Sequence, residues 1–285
     1  MLGSGGPGAT GRASSASVAL IDGTPRILID AGSGAFVRLG EAHLATGALD
    51  TILLTHLHVD HAGELAGIIK ARAVSSAQPI TFRIIGPQGS PGDTRGNAYF
   101  PSTRQFVDLL FGPHGAFAYL RDFSAPITLE TQDFPAARGA PPEVRVVLHE
   151  PSFTVAAISG HHGDAPAVIY RLEHAGISIT FTGDIDHHGL AALARIARGT
   201  DLLVFNCVVL DPPESPQILY GLHTPPREIG EIAREAGVHA LLLSHLSPAT
   251  DQGRDAVLQS IRASYQGPVQ FASDGMHVRP APPAR

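Results

Sequence analysis

The chain has 285 residues, 44% hydrophobic and 16% charged, with 31 glycines and 23 prolines, enough to bury a sizeable core between short elements and irregular loops. A formal net charge of −6 and a pI near 6.2 argue against a broad basic surface for tRNA or duplex DNA, since non-specific nucleic-acid affinity comes mainly from Lys and Arg neutralising phosphates. They leave room for a small anionic substrate met by a few local arginines. The lone Cys207 excludes an internal disulfide and a cysteine-based zinc site. No apolar run approaches 18 residues and no signal-peptide pattern opens the chain, so a soluble protein without membrane contact is expected. Its address is read as cytoplasmic, or periplasmic if a leader precedes Met1.

In chain order, Ser17–Ile21 and Arg26–Asp30 read as strands joined by Asp22-Gly23, a hairpin signal. Asp30-Ala-Gly-Ser-Gly34 turns into a helical pattern over 35–46, and Thr51–Leu54 is the next strand. It runs into Thr55-His-Leu-His-Val-Asp-His-Ala-Gly63, which holds His56, His58, Asp60 and His61 within six residues. A strand ending at Thr55 delivers these side chains at a strand-to-helix turn. His56 and His58 then share one ion, and Asp60 and His61 serve a second a few ångströms away. Imidazole and carboxylate without thiolate suit catalytic Zn²⁺.

A helix over 64–73 and a strand over 81–86 follow. From Pro87 to about Pro142 the sequence is rich in Gly and Pro and carries Tyr99, Phe100, Phe106, Phe111, Phe117, Tyr119 and Phe123. This stretch, with amphipathic segments at 103–111 and 116–123, is read as an insertion or lid within a single domain spanning 1–285. Strands are expected at 144–148, 153–159, 167–172, 177–181, 202–205, 240–243 and 269–272, and helices at 190–198, 227–236 and 255–263. Two facing sheets with helices outside accommodate this order.

Further ligands stand at strand ends. Either His161 or His162, after 153–159, completes the first ion; Asp184, after 177–181, bridges both; His245, after 241–244, completes the second.

This constellation resembles the metallo-β-lactamase superfamily, and the likeness runs from Leu2-Gly-Ser-Gly5 to Asp274-Gly-Met276. The resemblance implies an α/β fold, the four-layer αβ/βα sandwich, with two Zn²⁺ (Mn²⁺ or Fe as alternatives) at one edge. Position by position it assigns His56, His58 and His162 to one ion, Asp60, His61 and His245 to the other, and Asp184 as the bridge. It selects His162 over His161 because His162-Gly-Asp-Ala-Pro-Ala-Val-Ile-Tyr170 looks like the ligand stretch of the family. Asp30, in Asp30-Ala-Gly32, is read as support behind the ligands.

Within the superfamily the chain is similar to the ribonuclease Z and phosphodiesterase branch, through Leu2-Gly-Ser-Gly-Gly6, Ile85-Gly-Pro-Gln-Gly89, His223-Thr224 and Ser244-His-Leu-Ser247. That implies a catalytic role for His223 as proton donor, alongside Asp60. Thr224 as helix N-cap with Pro225 at the first helical position explains part of the motif. A basic arm for tRNA is not recognisable, and the charge is negative. The expected activity is therefore hydrolysis of a small phosphodiester or phosphotriester by a metal-bound hydroxide. Opening of a lactone or β-lactam is the alternative, and tRNA processing is disfavoured. The expected partner is a small-molecule ester rather than tRNA or duplex nucleic acid, with a homodimer left open. Eight other histidines, among them His174, His187 and His188, receive no role.

Overall fold

The computed structural model describes residues 1–8, 11–92, 98–136 and 142–280. Strands β1 (Ser17–Ile21) and β2 (Thr24–Ile29) turn on Asp22 and Gly23, both at positive φ (50° and 79°), the backbone that a tight hairpin requires. β2 pairs in parallel with β3 (Thr51–Leu53), and β3 with β4 (Ile80–Pro87). A short ladder joins β5 (Ser90–Pro91) to β6 (Tyr99–Phe100), and β7 (Ile127–Phe134) then adds in parallel to β4. The first sheet has the order β1-β2-β3-β4-β7.

The second sheet begins as an antiparallel meander of β8 (Arg145–His149), β9 (Thr154–Ser159), β10 (Val168–His174) and β11 (Ile177–Phe181). It continues in parallel through β12 (Leu202–Asn206), β13 (Leu241–Ser244) and β14 (Val269–Phe271).

Strand alternation sorts side chains into three cores. Ile27, Ile29, Leu53 and Ile85 point inward and meet Val168, Tyr170, Val204 and Leu242 of the second sheet. Their neighbours Leu28, Ile52, Leu54 and Ile84 point outward to Leu39 of α1 (Ala35–Glu41) and to Leu65, Ile68 and Ile69. The last three belong to α3 (Leu65–Val74), which follows the short α2 (Val59–Ala62); Val107 and Phe111 of α4 (Thr103–Phe111) join the same core. On the far side, Leu203, Phe205, Leu241 and Leu243 pack on α5 (Leu190–Ile196), α6 (Pro226–Glu235) and α8 (Arg254–Arg262), with α7 (Pro248–Gln252) leading into the last. The result is the expected four-layer α/β sandwich. Burying each large aliphatic side chain of these cores contributes about 1.5–3 kcal/mol.

Two contacts lock the sheets together near one edge. Tyr170 Oη, from β10, donates to Leu54 O at 3.1 Å and Ile85 O at 3.2 Å, and Val168 N–H donates to Thr55 O at 2.8 Å. The edge that carries the histidine turn is therefore braced across the core.

Several elements depart from the sequence reading. The helix expected over 35–46 stops at Glu41, and 116–123 forms a 3-10 turn over Ala118–Asp122. The segment 87–142, read as an insertion or lid, contains β7, an integral edge strand that pairs with β4 along its whole length. Its exposed polar residues Thr128, Glu130 and Gln132 hide it, because it has a single strand neighbour and only its other face turns inward. Parts of that segment, 93–97 and 137–141, lie outside the described residues.

Candidate metal centre

The strand directions explain why distant residues converge. β9 and β11 are both antiparallel to β10, and β11, β12 and β13 are mutually parallel, so β9, β11 and β13 all end at the same edge. His162, Asp184 and His245 stand just past those three ends. Facing them, His56 leaves β3, His58 is the N-cap residue of α2 with extended backbone (φ −65°, ψ 152°), and α2 carries Asp60 and His61.

Two donor groups result. His58 Nδ1 lies 3.1 Å from His56 Nε2 and 3.3 Å from His162 Nε2. His245 Nε2 lies 2.9 Å from His61 Nε2 and 3.2 Å from Asp60 Oδ2. Asp184 stands between them: its Oδ2 is 3.9 Å from His56 Nε2, 3.8 Å from His162 Nε2 and 3.6 Å from His61 Nε2, and its Oδ1 is 3.6 Å from His245 Nδ1. All seven residues named from sequence are thus brought together, and the triads His56/His58/His162 and Asp60/His61/His245 each have the compactness of an ion-binding group. His223 joins them, buried, with Nδ1 3.9 Å from Asp184 Oδ2. It also forms a compact triad with His162 and Asp184.

Hydrogen bonds behind the cluster decide which imidazole nitrogen faces it. Asp30 accepts from Thr55 N–H (2.7 Å), from the Thr55 hydroxyl (2.9 Å) and from His61 Nδ1–H (2.8 Å), which turns His61 Nε2 toward the cluster. With its own proton given to Asp30, the Thr55 oxygen, 3.2 Å away, accepts from His56 Nδ1–H. His162 Nδ1–H donates to Leu222 O at 2.7 Å. Three rings consequently aim their Nε2 atoms into one small volume.

Asn206 Nδ2 donates to Asp184 Oδ1 at 2.8 Å and fixes that carboxylate. Gly183 (φ 57°) allows the chain to pass Thr55; a Cβ there would stand 2.5 Å from Thr55 Cβ.

The electrostatics follow from burial among mixed charges. Burial holds His56 well below its ordinary range, assisted by repulsion from His61 and His162, and burial likewise lowers His58. For His61, burial pulls downward, but Asp30 and Asp184 outweigh it and hold the ring well above its ordinary value. Burial also opposes ionisation of Asp60 and Asp184, yet the imidazoles of His245 and His61 keep both carboxyls low, Asp184 strongly so. Burial pushes His223 down to about 4, despite Asp184.

His161, the other candidate for the first group, turns away: its Nδ1 meets Asp186 Oδ2 at 2.7 Å. Thr224 is not the helix cap. α6 starts at Pro226 with Pro225 at the N-cap position, and the Thr224 hydroxyl donates instead to Ile185 O at 2.9 Å. Asn206, Asp186 and the Leu222 carbonyl escaped the sequence reading. A main-chain carbonyl has no residue signature, and Asn206 is the last residue of the apolar strand β12, where only its partner shows its purpose. His187 and His188 are exposed beyond the cluster, His187 Nδ1 lying 2.9 Å from Glu228 Oε2.

Comparison with known proteins places this geometry. Residues 25–246 match the model of the beta-lactamase superfamily domain. Ribonuclease Z of Mycobacterium sp. (strain KMS) is 28% identical over 268 residues, covering 90% of this chain and 86% of that protein. Among solved structures, human short-form tRNase Z superimposes with a TM-score of 0.69 at 20% identity, covering 98% of this chain and 97% of the other. The metallo-beta-lactamase fold protein YhfI from Bacillus subtilis gives 0.68 at 21% identity, covering 96% and 95%.

The likeness to ribonuclease Z over 90% of this chain overturns the expectation of a small-molecule ester as partner with tRNA disfavoured. Net charge sums the whole surface, whereas phosphate recognition depends on a few local donors. Among the described residues no helix is long and apolar enough to cross a membrane. The histidine cluster, the fold and the superfamily match lead to one conclusion: the chain belongs to the beta-lactamase superfamily, as a hydrolase of the ribonuclease Z-like branch with a His/Asp metal-binding cluster.

Proposed function

We propose that the protein is a phosphodiesterase that cleaves RNA using two Zn²⁺ ions. His56, His58 and His162 would hold one ion, Asp60, His61 and His245 the other, with Asp184 shared. The residues fit such a pair. Three imidazoles have their Nδ1 atoms committed to Thr55, Asp30 and the Leu222 carbonyl, so their Nε2 atoms turn toward one small volume, where a cation would take the place of the ring-to-ring contacts. Among the described residues the buried Nδ1 atoms of His223 and His245 have no hydrogen-bond partner, and nitrogen and carboxylate donors without sulfur suit Zn²⁺, with Mn²⁺ or Fe as related occupants.

When bound, such ions polarise a phosphoryl oxygen and make a water acidic enough to ionise near neutrality. The chain's own residues supply the rest. Asp30, Thr55 and the Leu222 carbonyl hold the rings in one tautomer, and Asn206 holds Asp184, so the site is organised before substrate arrives. Asp60 lines the accessible side of the second group and contributes both a donor and negative charge. His223 is neutral at rest because it is buried. An approaching phosphodiester anion raises its proton affinity, and the protonated ring can then deliver a proton to the departing alkoxide.

The observation that carries this reading is the convergence of seven separated donors in a chain that shares 90% of its length with a ribonuclease Z. The test is incubation of protein of measured zinc content with a precursor tRNA bearing a 3′ extension, a single-stranded RNA and a lactone. Chelator-sensitive cutting of RNA is expected. Zinc-replete protein that opens the lactone and leaves both RNAs intact overturns the proposal.

A further inference from the structure

Asp186 is buried at 2% exposure, two residues beyond Asp184 and directly before the exposed His187 and His188, and its hydrogen bonds reach the other strand end of the site. Its own N–H donates to His161 O at 2.9 Å. Its Oδ2 accepts from Gly163 N–H at 3.2 Å and from His161 Nδ1–H at 2.7 Å. Its Oδ1 accepts from His188 N–H at 2.8 Å, capping the 3-10 turn His187–Gly189.

The first two contacts have a specific geometric consequence. His161 O belongs to the peptide that precedes His162, and Gly163 N–H belongs to the peptide that follows it. One residue therefore holds the peptide planes on both sides of His162, which sets its φ and ψ. Gly163 follows at φ 55°, a backbone that favours glycine, and Ala165 N–H returns to His162 O at 3.0 Å, so the loop has little freedom left. The ring itself is pinned by Leu222 O. Because Asp186 shares a turn with Asp184, the loop that carries that carboxylate and the loop that carries His162 are joined by the main chain and side chain of a single residue.

We propose that Asp186 is a positioning residue that couples the His162 and Asp184 loops and sets the affinity of the cluster for its cation. The proposal rests on the reading of His162 and Asp184 as ligands. The role needs two acceptor oxygens at carboxylate reach: one for the peptide after His162 and the His161 ring, the other for the cap. Serine at the same position retains the cap, since serine is an effective N-cap residue. Its single short oxygen cannot also reach Gly163 N–H. Capping and clamping are thereby separable.

The experiment uses the full chain, stripped with a chelator and titrated with Zn²⁺ against a chromophoric chelator, together with thermal melts of the metal-free protein. Variants are Asp186→Ala, Asp186→Ser and His162→Ala. Asp186→Ala is expected to lose cap and clamp together. Asp186→Ser is expected to melt closer to the wild type than Asp186→Ala does when metal-free, yet to bind Zn²⁺ about 10–100-fold more weakly, the usual cost of removing a group that orients a ligand. Wild-type Zn²⁺ affinity in Asp186→Ser, with weakened binding in His162→Ala, overturns the coupling role and leaves the ligand set standing. Wild-type affinity in His162→Ala overturns both.

Discussion

Asp30 Oδ2 lies 2.8 Å from His61 Nδ1 at the floor of the cluster, while the other oxygen of the same carboxylate takes the Thr55 N–H at 2.7 Å. The aspartate thus closes the end of β3 and orients a histidine six residues further on. It adopts positive φ (60°) to do so, a backbone in which Asp is tolerated better than most side chains.

Replacing Asp30 by Ala removes the shared acceptor of Thr55 N–H, the Thr55 hydroxyl and His61 Nδ1–H. A loss of about 1–3 kcal/mol in urea-induced unfolding is expected for each donor left unpaired, with Zn²⁺ binding weakened about 10–100-fold. A metal titration that matches the wild type removes Asp30 from the support of His61.

His223→Ala separates a proton donor from a ligand, a distinction raised by its compact triad with His162 and Asp184. Retention of the full zinc content with RNA cleavage reduced about 10²–10⁴-fold is expected from loss of a general acid. Zinc content measured by elemental analysis decides: a fall by one ion per chain makes His223 a ligand instead.

Gly183→Ala meets two obstacles, a left-handed backbone at φ 57° and a methyl 2.5 Å from Thr55 Cβ. Left-handed geometry costs about 1–2 kcal/mol and forced overpacking about 1–3 kcal/mol, so a loss of roughly 2–5 kcal/mol is expected on denaturation. A shift below about 0.5 kcal/mol shows that the strand end moves aside freely.

At the opposite end of the sandwich, His174 bonds to Ser152 O (2.6 Å) and Asp22 Oδ1 (3.0 Å), tying the β1–β2 turn to the β8–β9 turn. The Ser152 carbonyl, with Asp22 and against the effect of burial, raises its pKa above 6.5. The stabilisation is therefore fully present below pH 6.5 and fades as the pH rises through the raised value. Denaturant midpoints of wild type and His174→Ala, compared from pH 5.5 to 9, should lie furthest apart at the acid end and converge at the alkaline end. A gap independent of pH contradicts the charged pairing.

Local information was enough for much of this protein. The His-x-His-x-Asp-His spacing and the period-2 runs through β2, β9, β10 and β11 are properties of short windows, where chain stiffness alone dictates which side chains share a face. The seven donor residues stand out in the sequence because His56, His162, Asp184 and His245 follow apolar strands, and His58, Asp60 and His61 continue the motif that the first of them opens. What tertiary structure decided was long-range. β7 is polar along its exposed face and becomes a strand only because β4 offers it a ladder. The choice of His162 over His161 at the cluster depends on Leu222 O and Asp186, 60 and 25 residues away in sequence. Asn206 acquires its role only when β12 lies beside β11. Composition misdirected the reading of the partner, because a net charge averages over a surface on which recognition is local. Hydrogen bonds between distant segments and backbone carbonyls leave no periodic trace in a sequence, so folding alone assigns them.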